Sequence, residues 1–448
     1  MSSAKPTPLS AKSSGPLIGT PELPGDKSIS HRAIMFAALA VGESRITGLL
    51  EGEDVMATAA AMRAIGARIE RREASGEEKE IVWHIYGVGV GGLQQPDGPL
   101  DMGNSGTSAR LIMGMCATHP ITVQFTGDAS LSRRPMKRVM DPLSQMGAQF
   151  ESRDGKMPLT LCGTNMPMPI SYELPVASAQ VKSAILLAGL NTPGRTTVIE
   201  RTPTRDYTES MLRAMGADVQ IEDLDEGKAI HITGYAELKP LTLQVPRDPS
   251  SAAFPCVAAC IVPGSDILLK DVGMNPTRAG LYVTLREMGA KIELQNERIE
   301  NGEKIADLRV QYAQLKPIDV PSGRAPSMID EYPILAIACA MANGTSRLRG
   351  LHELRAKESD RLQVMADGLL ACGVKTEIDG DDLIIHGSGK IQGGATITTH
   401  LDHRICMSFL IASLVAQQPI MIDDATPIQT SFPNFIPMME QLGAEFNL

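Results

Sequence analysis

The stretch LREMGAKIE, residues 285–293, has the form of a helix that ends at a glycine and is followed at once by a strand. Leu285 and Met288 stand at the spacing of one helix face, and Gly289 suits the left-handed conformation that commonly follows a helix. The residues after the glycine alternate between polar and apolar, which is typical of a strand with one buried face. The stretch therefore predicts a corner between a helix and a strand.

The same pattern occurs five more times along the chain. The copies are MRAIGARIE (62–70), LSQMGAQFE (143–151), LRAMGADVQ (212–220), LLACGVKTE (369–377) and MEQLGAEFN (439–447). Successive glycines lie about 70 to 80 residues apart, too far for a solenoid repeat, and this spacing suits a small α/β unit of several strands and two helices. Six such units do not fit one sheet, so we expect two domains of three units, with a crossing near VPRDPSSAAFP (245–255). The alternative is that the six corners are not a repeat, because similar corners occur in unrelated α/β proteins.

Composition limits the kind of protein. The chain has 448 residues, which is too long for one ordinary core and favours two or three domains. A net charge of −10 argues against nucleic acid as a partner. Seven scattered cysteines without a C-x-x-C pair argue for a reducing compartment and against a zinc ribbon. The first 16 residues resemble a frayed tail, not a signal peptide, and no apolar run reaches the ~20 residues that span a membrane, so we expect a soluble cytoplasmic protein.

The stretch GTPELPGDKSISHR (19–32) predicts an anion site. Its spacing departs from a P-loop, and its two prolines remove amide donors that such a loop needs. We expect Ser30 to cap a helix from His31 to Ala40, with Lys27 and Ser28 just before the helix and Arg32 in its first turn. Cations and the positive end of the helix dipole would then converge on one point. A capped helix with solvated charges is the alternative.

Four other stretches in the first half have similar chemistry. The turn DMGNSGTSAR allows close backbone approach to a ligand, the loop SRRPM holds a guanidinium beside a proline, and SAQVK and TRDYT place polar groups at helix starts. The residues concerned are Asn104, Gly106, Thr107, Arg134, Ser178, Gln180 and Arg205. An exposed basic loop is the alternative for the arginine.

The second half adds carboxylates to the cations. Asp330 and Glu331 precede an apolar helix, where they would also serve as simple caps. In KESDR, we expect Lys357 and Arg361 to share a helix face with Glu358 alongside, and a solvated charge run is the alternative. The stretch THLDHR contains Arg404, and its H-x-x-H spacing lacks a further metal ligand, so we predict no metal site.

Taken together, these stretches provide seven cations in an acidic chain, which is enough for two multiply charged small anions. They are Lys27, Arg32, Arg134, Arg205, Lys357, Arg361 and Arg404. With Asp330 and Glu358 as candidate proton carriers, we expect general acid–base chemistry between two such anions.

In this order, LPGDKSISHR, GNSGT, RRPM, SAQVKSAILLAGL, TRD, MIDEYP, KESDRL and LDHR resemble the EPSP synthase family of enolpyruvyl transferases, in its class II-like subgroup. The resemblance implies an α/β fold, a two-domain inside-out α/β barrel with six βαβαββ units, three per domain. It implies a chain that starts in one domain (1–20, tail included), builds the other (21–245) and returns (246–448), with the active site in the interdomain cleft. The implied reaction transfers the enolpyruvyl group of phosphoenolpyruvate to the 5-hydroxyl of shikimate 3-phosphate and releases phosphate, in the pathway to chorismate and aromatic amino acids. The family implies no cofactor, a monomer, and glyphosate as an inhibitor.

The resemblance also assigns roles to residues. Shikimate 3-phosphate would bind to Lys27, Ser28, Arg32, Ser178, Gln180, Arg205, Asp330 and Lys357. Phosphoenolpyruvate would bind to Lys27, Asn104, Gly106, Thr107, Arg134, Gln180, Arg361 and Arg404. Asp330 would accept the hydroxyl proton, and Glu358 with Lys27 would protonate the methylene carbon.

Some positions depart from other members. Glu353, Ala179 and Thr430 stand where relatives carry Asn, Ser and Lys, so contacts at these positions are in doubt. Gly106 stands where some glyphosate-tolerant members have alanine, so we expect sensitivity or moderate tolerance. The sister transferase acting on UDP-N-acetylglucosamine and a non-enzymatic phosphometabolite-binding protein remain rival hypotheses, although GDKS and the presence of Asp330 and Glu358 speak against them.

Overall fold

The structure is a computed structural model that describes residues 6–13, 15–75, 80–300 and 302–447. The α-helices of this part of the chain are α1 (Lys27–Leu39), α2 (Glu53–Ala64), α3 (Gly106–Ala117), α4 (Ala129–Arg133), α5 (Lys137–Gln145), α6 (Ala179–Leu190), α7 (Tyr207–Ala214), α8 (Pro249–Ile261), α9 (Gly280–Glu287), α10 (Tyr332–Met341), α11 (Arg361–Ala371), α12 (His403–Ser413) and α13 (Phe435–Gln441). The strands are β1 (Leu9–Ala11), β2 (Ile18–Gly19), β3 (Val41–Thr47), β4 (Arg68–Arg72), β5 (Val82–Val88), β6 (Leu100–Asp101), β7 (Thr122–Thr126), β8 (Gln149–Arg153), β9 (Lys156–Cys162), β10 (Ser171–Glu173), β11 (Arg195–Glu200), β12 (Val219–Asp223), β13 (Lys228–Thr233), β14 (Thr242–Gln244), β15 (Asp266–Gly273), β16 (Lys291–Glu300), β17 (Glu303–Gln311), β18 (Asp319–Val320), β19 (Asn343–Leu348), β20 (Lys375–Asp379), β21 (Asp382–Ser388), β22 (Thr396–Ile397), β23 (Met421–Ile422) and β24 (Phe446–Asn447).

The predicted corners are confirmed at all six glycines. Each lies between a helix and a strand and has a φ of between 82° and 114°, the left-handed region that favours glycine. At the corner that opened the sequence, the Gly289 amide donates to the Arg286 carbonyl and the Ala290 amide to the Leu285 carbonyl. Local sequence therefore decides where each helix stops and the next strand begins.

The described strands form six four-stranded sheets with one common pattern. In each sheet a parallel pair lies at one edge and two antiparallel pairings complete the sheet, as in the order β10-β11-β13-β12. Read along the chain, the unit is βαβαββ, as the resemblance implied. In the four sheets whose parallel strands are neighbours along the chain, a buried helix connects the two strands.

Three of the sheets are completed by strands that are distant in sequence. β14 pairs with β3, β2 pairs with β15, and β1 pairs with both β23 and β24. Leu9 and Ala11 of β1 are buried, so the expectation that the first 16 residues form a frayed tail is wrong for this strand. The side chains of Leu9 and Ala11 belong to the apolar core, and β1 is the fourth strand of the sheet formed with β22, β23 and β24. Residues 1–5 and 14 of that predicted tail lie outside the described residues.

The chain divides into two compact units. We call Lys27–Val245 the central unit, and Met1–Asp26 with Pro246–Leu448 the terminal unit. The Asp26 amide donates to the Pro246 carbonyl at 2.7 Å and the Asp248 amide to the Pro24 carbonyl at 2.9 Å. These bonds place residues 21–26 with the terminal unit, whereas the sequence placed that crossing after residue 20.

Each unit has three almost entirely buried helices in its interior. In the central unit, α1, α3 and α6 pack around one apolar cluster, and in the terminal unit α8, α10 and α12 pack around another. Every residue of α8 is buried, since a helix enclosed on all sides needs no polar face. Within the described residues, no helix combines the length and apolarity required to cross a bilayer. Several candidate residues lie in the first turn of a buried helix, such as Lys27 in α1 and Arg404 in α12.

Candidate functional site

The candidate residues fall into two groups, one in each unit, and we describe the groups separately. In the central unit, α1 begins at Lys27, so Lys27 and Ser28 belong to its first turn. The predicted cap at Ser30 is wrong. Ser30 is buried inside the helix, and its hydroxyl accepts the amide of Leu50 at 3.0 Å. The helix therefore starts earlier than predicted, and it brings Lys27 onto the positive end of the helix.

Lys27 has a carboxylate partner that the sequence did not reveal. Its Nζ lies 2.5 Å from Oδ2 of Asp54, which is buried in the first turn of α2. An acidic residue at a helix start has the pattern of an ordinary cap, so nothing in the sequence distinguished Asp54. The pair fixes the position of the Lys27 ammonium at this end of α1.

Arg32 is buried and oriented by hydroxyl groups. Its Nε donates to Oγ1 of Thr208 at 2.8 Å and its Nη2 to Oγ of Ser183 at 3.0 Å, while Nη1 donates to the Ser28 carbonyl at 3.0 Å. These bonds connect α1 to α6 and α7 and fix the orientation of the guanidinium group. A fixed guanidinium is suited to bind phosphate or carboxylate.

His31 lies between these two cations and is fully buried. Its Nδ1 is 2.7 Å from Oγ1 of Thr58, and its Nε2 has no hydrogen-bond partner within the described residues. Burial, and then the charges of Lys27 and Arg32, lower the pKa of His31 well below its usual value. The ring is therefore neutral near pH 7 and adds no charge to the group.

A second helix start carries Asn104, Gly106 and Thr107. Ser105 caps α3 by accepting the amide of Ser108 at 3.1 Å, and Gly106 is the first helical residue. Arg134 donates to the side-chain oxygen of Asn104 at 2.6 Å and to its carbonyl at 3.2 Å. Asn104 and Arg134, which come from two separate motifs, are thus in direct contact in the structure.

Gln180 is held from two sides. Its Nε2 donates to Oγ1 of Thr107 at 3.0 Å, and its Oε1 accepts from Nη1 of Arg110 at 2.8 Å. Arg110 was not identified from the sequence, although it stands one helical turn after Gly106 and so shares its face. A Cβ atom on Gly106 would lie 2.6 Å from Nη1 of Arg110 and 3.3 Å from Nη1 of Arg134. The absence of a side chain at position 106 therefore leaves room for both guanidinium groups.

The last predicted residues of this unit also lie at helix starts. Ser178 lies at the start of α6, as predicted, and caps that helix by accepting the amide of Val181 at 3.4 Å. Arg205 is half-buried in the segment that precedes α7. Both residues lie just before the helices that hold Arg32, because Ser183 belongs to α6 and Thr208 to α7.

In the terminal unit, Arg361 brings two carboxylates together. It is almost fully buried, and its Nη1 lies 3.2 Å from Oδ1 of Asp330 and its Nη2 lies 2.5 Å from Oε2 of Glu358. Asp402 holds the remaining side of the guanidinium, with 2.8 Å between Nε and Oδ2. The neighbouring carboxylates Asp402, Glu358 and Asp330 outweigh burial and raise the pKa of Arg361, so the guanidinium stays charged.

The expectation of a shared helix face for Lys357 and Arg361 is wrong. α11 begins at Arg361, capped by Asp360, and Lys357 lies in the irregular segment before it. The two cations still meet, because Nζ of Lys357 lies 3.3 Å from Oδ1 of Asp330, the atom that Arg361 also contacts. A shared carboxylate, and not helical spacing, places them together.

Arg404 belongs to the same group. It is the second residue of α12, and its Nη1 donates to the Asp330 carbonyl at 3.0 Å and lies 3.4 Å from Oε1 of Glu331. Glu331 makes no capping bond to α10, so its alternative role as a simple cap is wrong. Its Oε1 accepts a short hydrogen bond from Ser250 instead. Glu331 thus supports Arg404.

Metal ligands do not cluster in the described parts of the chain, where no group of three or more His, Cys, Asp or Glu side chains is arranged to hold an ion. The two groups described above consist of fixed cations, carboxylates and helix ends. Such groups can bind anions and move protons.

Comparisons with known proteins identify close relatives. The model of the family described as EPSP synthase (3-phosphoshikimate 1-carboxyvinyltransferase) matches residues 11–439. A protein of Paramagnetospirillum magneticum named 3-phosphoshikimate 1-carboxyvinyltransferase is 60% identical over 443 residues, 98% of either chain. A solved structure of EPSP synthase from Acinetobacter baumannii is 45% identical, with a TM-score of 0.85 over 99% of this chain and 100% of that chain. The enolpyruvyl transferase NikO from Streptomyces tendae shares the fold alone, with 17% identity and a TM-score of 0.77 over 99% of each chain.

Proposed function

The chain belongs to the EPSP synthase (3-phosphoshikimate 1-carboxyvinyltransferase) family, and from this premise we propose which of its residues bind the substrates and move the protons. The protein is an enzyme that transfers the enolpyruvyl group of phosphoenolpyruvate to the 5-hydroxyl of shikimate 3-phosphate and releases phosphate. The reaction is a step of the shikimate pathway to chorismate and aromatic amino acids. One observation carries the residue proposal, the bridging of Asp330 and Glu358 by the buried Arg361.

Shikimate 3-phosphate is bound by cations and neutral hydrogen-bonding groups. Its phosphate needs donors at a fixed position, and the hydroxyl-oriented Arg32 and the first turn of α1 supply them. The proposed set is Lys27, Ser28, Arg32, Ser178, Gln180, Arg205, Asp330 and Lys357. Contacts within each unit support it: Arg32 with Ser28, and Lys357 with Asp330.

Phosphoenolpyruvate carries a carboxylate and a phosphate, so it requires several cations. The proposed set is Lys27, Asn104, Gly106, Thr107, Arg134, Gln180, Arg361 and Arg404. The bonds from Arg134 to Asn104 and from Gln180 to Thr107 support this grouping in the central unit. Arg361 and Arg404 both contact Asp330 in the terminal unit.

The chemistry requires two proton carriers with opposite duties. The hydroxyl that attacks C2 of phosphoenolpyruvate must lose a proton, and the methylene carbon must gain one. We assign the first duty to Asp330, and the second to Glu358 together with Lys27. Arg361 fixes both carboxylates in position before substrate binds, which lowers the cost of ordering them in the transition state.

Further properties of the family extend the proposal. Glyphosate inhibits the enzyme by occupying the phosphoenolpyruvate site, and Gly106 keeps that site open to it. The active enzyme is a monomer in the cytoplasm. Size-exclusion chromatography tests the monomeric state, which a dimer would contradict. Inhibition kinetics test the glyphosate proposal, which an inhibition constant far above the KM for phosphoenolpyruvate would contradict.

The assignment is tested by following phosphate release from shikimate 3-phosphate and phosphoenolpyruvate with Asp330→Asn. We expect kcat to fall by about 100-fold or more, the effect of losing a general base. The matched control is Asp319→Asn, because Asp319 is also held by an arginine, with both of its oxygens 2.6 Å from Arg349, but lies exposed on β18. Full activity of Asp330→Asn, or equal losses in both variants, would refute the assignment.

A further inference from the structure

Three charged side chains that carry no assigned role form a buried cluster in the central unit. Lys182 of α6 is 0% exposed, and its Nζ lies 3.0 Å from Oε2 of Glu200 and 2.7 Å from Oε1 of Glu209. Glu200 ends β11 and Glu209 lies in α7, and both are buried. The cluster therefore links three elements of the fold through one ammonium group.

The charges of the cluster depend on one another. Burial alone would lower the pKa of Lys182, but the two carboxylates outweigh it and the pKa is raised. Burial raises the pKa of Glu209, and the attraction of Lys182 only partly offsets this. Buried ion pairs are often no more stabilising than apolar residues of the same volume. Stability alone thus gives little reason for three buried charges at this place.

The residues next to the cluster hold Arg32. Ser183 follows Lys182 and Thr208 precedes Glu209, and their hydroxyl oxygens are 2.7 Å apart. α6 and α7 are thus joined by two adjacent links, one ionic and one between hydroxyl groups. The hydroxyl groups of the second link accept two of the hydrogen bonds that the Arg32 side chain donates. A shift of either helix would change the direction of the guanidinium.

The cluster also holds the segment that carries Arg205. Oε2 of Glu200 accepts the amide of Thr204 at 3.2 Å and its hydroxyl at 2.7 Å. Thr204 is buried and directly precedes Arg205. The same carboxylate therefore connects Lys182 to the segment before α7.

We propose that Lys182 is a positioning residue for shikimate 3-phosphate, which, through Glu200 and Glu209, sets the places of Arg32 and Arg205 without touching substrate. The inference rests on the proposed assignment of these two arginines to shikimate 3-phosphate. The residues assigned to phosphoenolpyruvate alone, such as Asn104 and Arg134, have their own network around α3 and α4. Loss of Lys182 should accordingly affect one substrate more than the other.

The test is steady-state kinetics of Lys182→Met in the full-length enzyme. We expect the KM for shikimate 3-phosphate to rise by about 10- to 100-fold, as when charge-assisted hydrogen bonds are misaligned, with the KM for phosphoenolpyruvate changed by about twofold or less. The matched control is Leu187→Ala, a core truncation in the same helix, which should lower the melting temperature and leave both KM values unchanged. Equal rises in both KM values, or no rise for shikimate 3-phosphate, would overturn the inference.

Two further variants keep the test decisive if Lys182→Met does not fold. Thr204→Val keeps the size of the side chain but removes its bond to Glu200, so we expect a selective rise in the KM for shikimate 3-phosphate that Thr204→Ser does not show. An equal KM in these two variants would contradict the inference.

Arg32→Ala distinguishes an error in the proposed shikimate 3-phosphate site from an error in the positioning role of Lys182. If it leaves the KM for shikimate 3-phosphate unchanged, the proposed site itself is wrong, whereas a rise with Arg32→Ala and none with Lys182→Met refutes the positioning role alone.

Discussion

Gly106→Ala tests whether an empty space at the start of α3 controls binding of phosphoenolpyruvate and glyphosate. The new methyl group would lie 2.6 Å from Nη1 of Arg110, compared with at least 3.4 Å in ordinary contact. The backbone of Gly106 has no positive φ, and alanine favours helix more than glycine does, so folding should not suffer. The strain is relieved by moving the Arg110 side chain.

The displaced guanidinium can no longer donate to Gln180 at 2.8 Å. A hydrogen bond from a charged group contributes about 1.5–3 kcal/mol, which corresponds to about 10- to 150-fold in affinity. We therefore expect the KM for phosphoenolpyruvate to rise within this range. The inhibition constant for glyphosate should rise at least as much, because the methyl group also occupies part of the proposed inhibitor site.

The assay is phosphate release at varied phosphoenolpyruvate and glyphosate, with Gly98→Ala as the control, since a methyl group there meets no atom within 4 Å. A double-mutant cycle identifies the route of the effect. If Gly106→Ala acts through Arg110, adding Arg110→Met should cause little further loss. Additive losses, or an unchanged inhibition constant in Gly106→Ala, would refute this reasoning.

Three other predictions follow from buried groups. Because burial, and then Lys27 and Arg32, lower the pKa of His31, the unfolded chain binds a proton at this residue before the folded protein does, and the free energy of unfolding should fall as pH drops below about 6.5. His31→Gln should flatten that fall in urea titrations between about pH 7 and 5, and an unchanged slope would contradict it. Gly114→Ala would place a methyl group 2.3 Å from the Ala184 carbonyl, so the free energy of unfolding should decrease by about 1–3 kcal/mol, and unaltered denaturation would argue against this close helix contact. A thiol reagent should modify Cys162 first, because the other six cysteines are buried, and mass spectrometry showing rapid labelling elsewhere would contradict that.

Much of the candidate site could be predicted because its residues stand at helix starts in short motifs. Asn104 lies just before α3, and Ser178 caps α6. The errors concern which groups these side chains contact. In the sequence, Ser30 has the pattern of a helix cap, whereas in the structure its hydroxyl accepts the amide of Leu50. Lys357 and Arg361 read as helix neighbours, but Asp330 brings them together.

The residues that sequence reasoning missed are supports that act through another side chain. Asp54 fixes Lys27, and Arg110 fixes Gln180. Each resembles an ordinary helix residue in sequence, because the partner lies on another element. A hydrogen bond between elements has no spacing rule along the chain, so it leaves no pattern to read.

The six helix-to-strand corners were determined by the sequence itself. Each corner needs only an amphipathic helix followed by a glycine that adopts a positive φ, and these residues are adjacent in the chain. Only the tertiary structure decided which strands complete the units. β1, β2 and β14 each pair with strands far away in the chain, and short strands carry too little pattern to name their partners. The same holds for Arg361 between its carboxylates and for Lys182 between Glu200 and Glu209. Burial of a charge depends on what surrounds it in space, and that is known only once the chain has folded.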